Sequence, residues 1–157
     1  MRKRTSKFTW AVTIALIAWV VLSVWAVVSP HIYEPSGPVT AAKASAYLGI
    51  AVPPEATNIR IFGYHQGNGY QRMVRFEAPI AACLRAAAAA VPDERLDQAD
   101  EYDLKRVRTM GPDNSIAEPT WFDLSKATNA IAAGGGPGKP RVWVDQDHEV
   151  FYCIISD

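Results

Sequence analysis

The chain contains two cysteines, Cys83 and Cys153, and both fall in segments with the pattern of buried structure. Cys83 lies on the apolar face of a predicted helix, and Cys153 lies on the last predicted strand. One interpretation is a disulfide between them, which an oxidising compartment permits. The other is a pair of free thiols that pack as small apolar side chains. Both remain open, because the sequence does not give the distance between the two Cα atoms.

A second group of reactive side chains is crowded into the turn 145–149. A calcium loop needs more oxygen ligands and a glycine at the sharp turn, and a zinc site needs further histidine or cysteine ligands. His65 is the one spare histidine for such a site. We therefore expect a solvated hairpin tip with no metal, and we keep an envelope hydrolase or metal-dependent enzyme as the alternative. That enzyme would use His65 together with Asp145, Asp147, His148 and Glu149.

The segment 134–140, GGGPGKP, invites comparison with a phosphate-binding loop. That motif requires glycine where this chain has Ala133, and serine or threonine where it has Pro140. It also leads into a helix, whereas a strand is predicted here. The segment is therefore expected to be a loop, and no cofactor is predicted. No serine–histidine–aspartate grouping, carboxylate pair or cysteine–histidine pair is apparent, so no catalytic residue is predicted.

Aromatic side chains flank the predicted turn at 66–69 and recur in a loop near residue 120. Aromatic residues beside glycine-rich turns are typical of partner surfaces. The alternative is that these rings cover the ends of the core. The candidate partner surface consists of Tyr64, His65, Tyr70, Trp121 and Phe122.

The elements that position these groups follow two N-terminal segments, a basic tail at 1–7 and an apolar run at 8–28. The run contains no charge, proline or glycine, and a helix of its length reaches roughly 31 Å, about the thickness of the bilayer hydrocarbon. The sequence thus predicts an uncleaved transmembrane helix rather than a cleaved signal, since a secretory apolar region is shorter. Basic residues before the run place the N-terminus in the cytoplasm and the remainder outside the cell membrane.

A proline-rich linker is predicted at 29–38 and an extracytoplasmic domain at 39–157. Outside the basic tail the chain has 16 acidic and 12 basic residues, which argues against nucleic acid as a partner. Thr40 is expected to cap a short helix that ends before Gly49. Alternating segments at 58–65 and 70–77 predict a hairpin.

The segment after Pro79 has helical periodicity, with Ile80, Cys83 and Leu84 beginning one apolar face. Beyond it we expect a strand at 102–110, a turn at 111–114 and a short helix at 125–133. A closing hairpin is predicted at 141–156. The predicted fold is α+β: an N-terminal transmembrane helix, then a small antiparallel sheet of two hairpins packed with two or three helices.

The runs PPEATNIR, VRFEAP and EPTWFD resemble segments of small uncharacterised bacterial envelope proteins that are membrane-anchored or lipoprotein-like. That resemblance implies no activity, so no functional residue follows from it. The sequence predicts a single-pass protein that displays an interaction or accessory domain to a protein partner.

Overall fold

The computed structural model describes residues 6–66, 69–101, 104, 109–110 and 116–156. Three α-helices, nine strands and one 3-10 turn lie within those residues. The helices are α1 (Ser6–Val28), α2 (Ala41–Leu48) and α3 (Ile80–Ala90). The strands are β1 (His31–Tyr33), β2 (Thr57–Gln66), β3 (Gly69–Glu77), β4 (Asp97–Gln98), β5 (Thr109–Met110), β6 (Ile116–Ala117), β7 (Ala130–Gly134), β8 (Pro140–Asp145) and β9 (Val150–Ser156). The 3-10 turn is Leu124–Lys126.

Seven strands form one antiparallel sheet in the order β1-β2-β3-β9-β8-β7-β4. Two hairpins, β2–β3 and β8–β9, meet at its centre, where Val74 of β3 faces Cys153 of β9. Strands β5 and β6 form a separate pair. The predicted hairpin at 58–77 is found, and residues 67–68 between its strands lie outside the described residues.

Helices α2 and α3 cover one face of the sheet. The side chain of Thr40 accepts a hydrogen bond from the Lys43 amide, and Gly49 ends α2 in the left-handed conformation, as the sequence predicts. In α3 the buried face is formed by small residues that let the helix approach the sheet closely, namely Ala82, Cys83, Ala86 and Ala87. We refer to this side as the helical face.

The opposite side of the sheet, the second face, is covered by the mostly irregular segment 117–129, which we call the covering segment. Its buried side chains include Met73, Trp143 and Tyr152 from the strands, and Phe122 and Leu124 from the covering segment. The Phe122 ring meets the Trp143 and Tyr152 rings edge-on, with centroid distances of 6.3 and 5.4 Å. Edge-to-face contacts of this kind fix the covering segment on a sheet that would otherwise expose aromatic surface.

Two sequence predictions about the elements need correction, and a third falls largely outside the described residues. The sheet has seven strands rather than the four of two hairpins, because short strands extend both of its edges. The predicted helix at 125–133 is instead a 3-10 turn followed by β7, whose residues pair with β8. The predicted strand at 102–110 and turn at 111–114 fall almost entirely outside the described residues.

The prediction of a transmembrane helix over 8–28, and with it of a single-pass membrane protein, is contradicted. Among the residues that the structure describes, no helix combines the length and the apolar character that a bilayer crossing needs. The predicted extracytoplasmic location stays a prediction.

The possible disulfide between Cys83 and Cys153 is also contradicted, because both residues are free cysteines. Both thiols are buried in the apolar cluster on the helical face. The Cys83 thiol donates to the Ala78 carbonyl at 3.2 Å, so it has a partner other than sulfur. Burial raises the pKa of Cys83 to about 11 and that of Cys153 to about 12.

We expect both native thiols to react slowly with Ellman's reagent. The thiolate is the nucleophile, and the pKa of about 11 at Cys83, against an ordinary value near 9, lowers its thiolate fraction at pH 8 by about 100-fold. The measurement is the rate of thionitrobenzoate release from native and guanidinium-unfolded protein. A Gly37→Cys variant is the control, since its new thiol would lie in open space and react at once. Two fast native thiols would contradict the assignment.

Candidate binding cleft at the sheet edge

The first half of β2 lies at an open edge of the sheet. Strand β1 covers only the far half, where its three residues pair with His65, Tyr64 and Gly63. The chain then leaves the edge at Glu34, because Pro35 has no N–H to donate to the ladder. Within the described part of the chain, no strand pairs with 57–62 on the side away from β3.

The departing chain and the open edge enclose a cleft of about 410 Å³. One wall is the segment 34–39, and the other is the start of β2, residues 58–61. Glu34 is held at the rim, where its carboxylate accepts a hydrogen bond of 2.9 Å from the Trp121 indole. This bond ties the first wall to the segment that covers the second face. The cleft is therefore bounded by chain that is anchored at Glu34.

A β-bulge shapes the floor of the cleft. The register shifts between Thr57 and Arg60, and Asn58 adopts a positive φ of 48°. Asn58 Nδ2 donates to Glu77 Oε2 at 2.5 Å, while Arg75 Nη2 lies 2.6 Å from Glu77 Oε1. Both carboxylate oxygens of Glu77 are thus engaged. The bond from Asn58, and after it the bond and charge of Arg75, lower the pKa of Glu77.

The lowered pKa of Glu77 predicts a loss of stability in acid. Its contribution is fully present above the ordinary pKa near 4.5 and is lost as the pH falls through the lower pKa of the folded protein. Because the side chain is one-third exposed, we expect Glu77→Gln to cost about 1 kcal/mol at pH 7 and nearly nothing at pH 2. Urea unfolding at both pH values measures this. Glu94→Gln, at an exposed position, is the control, and an equal cost of Glu77→Gln at both pH values would contradict the prediction.

Arg60 is the one cation in the lining of the cleft. Its cross-strand neighbour in β3 is Arg75, and like charges directly opposite each other destabilise a strand pair. Arg75 is compensated by Glu77 and by the Tyr152 ring, which its guanidinium approaches to 6.0 Å. Arg60 is exposed and makes no hydrogen bond or ion pair to any residue that the structure describes. The described lining of the cleft thus carries the positive charge of Arg60 and, at the rim, the negative charge of Glu34, with no ion pair between them.

The acidic turn at 145–149, which the alternative enzyme would use, is held by hydrogen bonds within the fold. Asp145 is buried and accepts bonds from the backbone amides of Asp147 and His148 and from the His148 ring, at 3.2, 3.3 and 2.8 Å. Thr128 and Asn129 donate to the Asp147 carboxylate and lower its pKa. Their bonds connect the turn to the covering segment.

Glu149 completes this turn by holding the start of α3. Its carboxylate accepts from the Ile80 amide at 3.2 Å, and its carbonyl accepts from the Ala78 amide at 3.1 Å. A carboxylate at a helix N-terminus satisfies an otherwise unpaired amide and complements the helix dipole. The acidic side chains of this turn are therefore engaged in hydrogen bonds that hold the fold together. No group of three potential metal ligands is found within the described residues.

His65 does not meet the acidic turn. The register aligns Asp145 with Val150, Val150 with Glu77 and Glu77 with Thr57, so the turn is level with the start of β2. His65 lies eight residues further along that strand, roughly 25 Å away at the rise of a β-strand. The structure therefore does not bring together the residues that the alternative enzyme would use.

The five predicted partner-surface residues are divided between the two faces. Tyr64 and Phe122 are buried in the cluster on the second face, and Trp121 packs beside Phe122 at its rim. Tyr70 packs against the cluster on the helical face. His65 is exposed, and its ring lies 6.5 Å from that of His31. Most of these rings thus cover the core, and they form no continuous surface.

The cleft could not be identified from sequence patterns alone. Arg60 has the alternation of an ordinary exposed strand residue, and 34–39 has the composition of a linker. The sequence signal for the cleft was limited to Pro35 and Pro38, which flank Ser36-Gly37. This pattern predicts a segment that cannot join a sheet. That this segment returns past the β2 edge depends on β1, a strand of three residues that no pattern indicates.

Comparisons of this chain with protein-family models, with curated proteins and with solved structures find no match.

Proposed function

We propose that this protein is a binding module whose domain takes an extended segment of another polypeptide along the open edge of β2. The observation that carries the proposal is the cleft between 34–39 and 58–61. An open edge offers backbone N–H and C=O groups to a further strand, which is how many domains bind peptides. The neighbouring wall would give side-chain contacts to the bound segment.

The size of the cleft and the chemistry of its walls support this proposal. A cavity of about 410 Å³ accommodates a few residues of extended chain rather than a folded partner. The bulge at Asn58 twists the edge locally, which limits pairing with long flat strands and favours a short segment. The side chains of the acidic turn are engaged in structural bonds, and the described residues offer a hydrolytic function no comparable group.

A peptide selection tests the proposal. The full chain would be screened against a phage-displayed library of random octapeptides, and the selected peptides would be mapped by hydrogen exchange. We expect amide protection at 58–62 and a loss of affinity of at least tenfold in Gly37→Trp. Gly37 has open space around its Cα and an ordinary φ, so the new indole would occupy the cleft without strain.

Ala88→Trp is the matched control, because Ala88 is exposed on α3 and lies outside the cleft lining. Its affinity for the selected peptides should remain within twofold of wild type. The proposal fails if no peptide binds with a Kd below about 100 µM. It also fails if the bound peptides protect other segments and leave 58–62 unchanged.

A further inference from the structure

We infer that the segment bound in the cleft carries a carboxylate, an aspartate or glutamate side chain, that pairs with Arg60. This inference rests on the proposed function and adds the chemical class of the ligand. Its basis is the cross-strand pair of Arg60 and Arg75. Each of the two guanidinium groups can pair with an anion, and among the described residues only Arg75 does so, with Glu77.

Glu77 cannot provide the second anion. Its Oε1 is taken by Arg75 at 2.6 Å and its Oε2 by Asn58 at 2.5 Å. The Asn58 contact also holds the carboxylate at the bulge. Arg60 is therefore left with an exposed guanidinium whose five donors are unused by the rest of the described chain.

Glu34, the acidic residue of the opposite wall, is also engaged. Its Oε1 accepts from the Trp121 indole at 2.9 Å, which keeps it at the rim. The bond to a neutral indole leaves the carboxylate charged but holds it toward Trp121, and Glu34 makes no ion pair with Arg60 among the described contacts. An arginine fork binds a carboxylate in two parallel hydrogen bonds, so an acidic side chain is the complementary group for an extended segment that runs past Arg60.

A charge-swap experiment tests the inference with peptides from the octapeptide selection. Enriched peptides should share an aspartate or glutamate at a fixed position. Replacing that residue by glutamine or asparagine should weaken binding by at least about tenfold, the size expected for a charged hydrogen bond. Arg60→Gln should weaken binding of the acidic peptide equally, and the two changes together should cost little more than either one.

Reversing the charge on both the protein and the peptide should give a gain of affinity, which an unfolded variant could not show. Arg60→Glu should bind the peptide with lysine at the fixed position at least fivefold more tightly than the acidic peptide. Lys139→Gln, in the β7–β8 loop, is the control for loss of one positive charge and should leave both affinities unchanged. Titration calorimetry gives the Kd values, and urea unfolding confirms that each variant is folded.

The outcomes separate the inference from the proposed function. If peptides protect 58–62 but bind equally well with glutamine at the fixed position, edge binding stands and the carboxylate inference is overturned. The same holds if Arg60→Gln changes the Kd by less than twofold. If no library peptide protects the β2 edge, both the proposed function and this inference are overturned.

Discussion

Gly134→Ala is expected to destabilise the domain by about 3 kcal/mol or more. Gly134 ends β7 with a φ of +81°, a conformation that side chains with a Cβ rarely adopt. A Cβ built there would lie 2.3 Å from the Pro140 carbonyl oxygen and 2.7 Å from Val91 Cγ1. Backbone strain and overpacking each cost about 1–3 kcal/mol, and here they act together. Urea unfolding, with the slope unchanged, measures the loss as a lower midpoint.

Gly37→Ala is the matched control for this substitution. Its Cβ would meet no atom within 4 Å, and its φ is ordinary, so the folded state gains no strain. We expect a change within 0.5 kcal/mol of wild type or a small stabilisation, because alanine restricts the unfolded chain. Equal midpoints for the Gly134 and Gly37 variants would refute the assigned role of Gly134.

Trp143→Ala is expected to cost about 3–5 kcal/mol, the usual range for removing a buried large aromatic ring. Trp143 is fully buried at the centre of the second face. Its ring contacts Phe122 edge-on and lies under the Arg141 guanidinium, 5.5 Å from the ring centroid. The substitution would leave a cavity beneath the covering segment. Hydrogen exchange should therefore rise first in 117–129, before it rises in α3.

The control for Trp143 is Trp121→Ala. Trp121 is only half-buried and makes a single bond to Glu34, so its loss should cost about 1 kcal/mol. If Trp143→Ala is too unstable to purify, Trp143→Phe should fold and retain an intermediate midpoint. A Trp143→Ala protein as stable as Trp121→Ala would show that the second face does not depend on this ring.

Local patterns were sufficient where neighbouring residues decide the structure. The α2 caps at Thr40 and Gly49 were found because capping depends on a side chain and a glycine within one turn of the helix. The β2–β3 hairpin was found because alternation and a short turn act over about twenty residues. These elements position half of the cleft, the β2 wall.

Sequence patterns failed where contacts between residues far apart in the sequence decide the structure. The segment 130–133, AIAA, is rich in alanine and was predicted to be the end of a helix, yet pairing with β8 makes it part of a strand. Phe122 was assigned to a candidate surface, although contacts with Trp143 and Tyr152 bury it. The apolar run of α1 predicted a bilayer crossing that the described residues do not support. The lack of an anion beside Arg60 was equally inaccessible, since it depends on the strand register that places Arg75 opposite it.

The central position of β9 has a consequence for how the sheet assembles. β9 lies between β3 and its own hairpin partner β8, so the pairing of β3 with β9 joins the two hairpins in the described sheet. Val74 and Cys153 are paired there although they are 79 positions apart in sequence. Contacts so distant in sequence are slow to form, because a long loop must close before they stabilise the chain. Each hairpin is thus expected to form early in folding, and the pairing of β3 with β9 is expected to limit the folding rate.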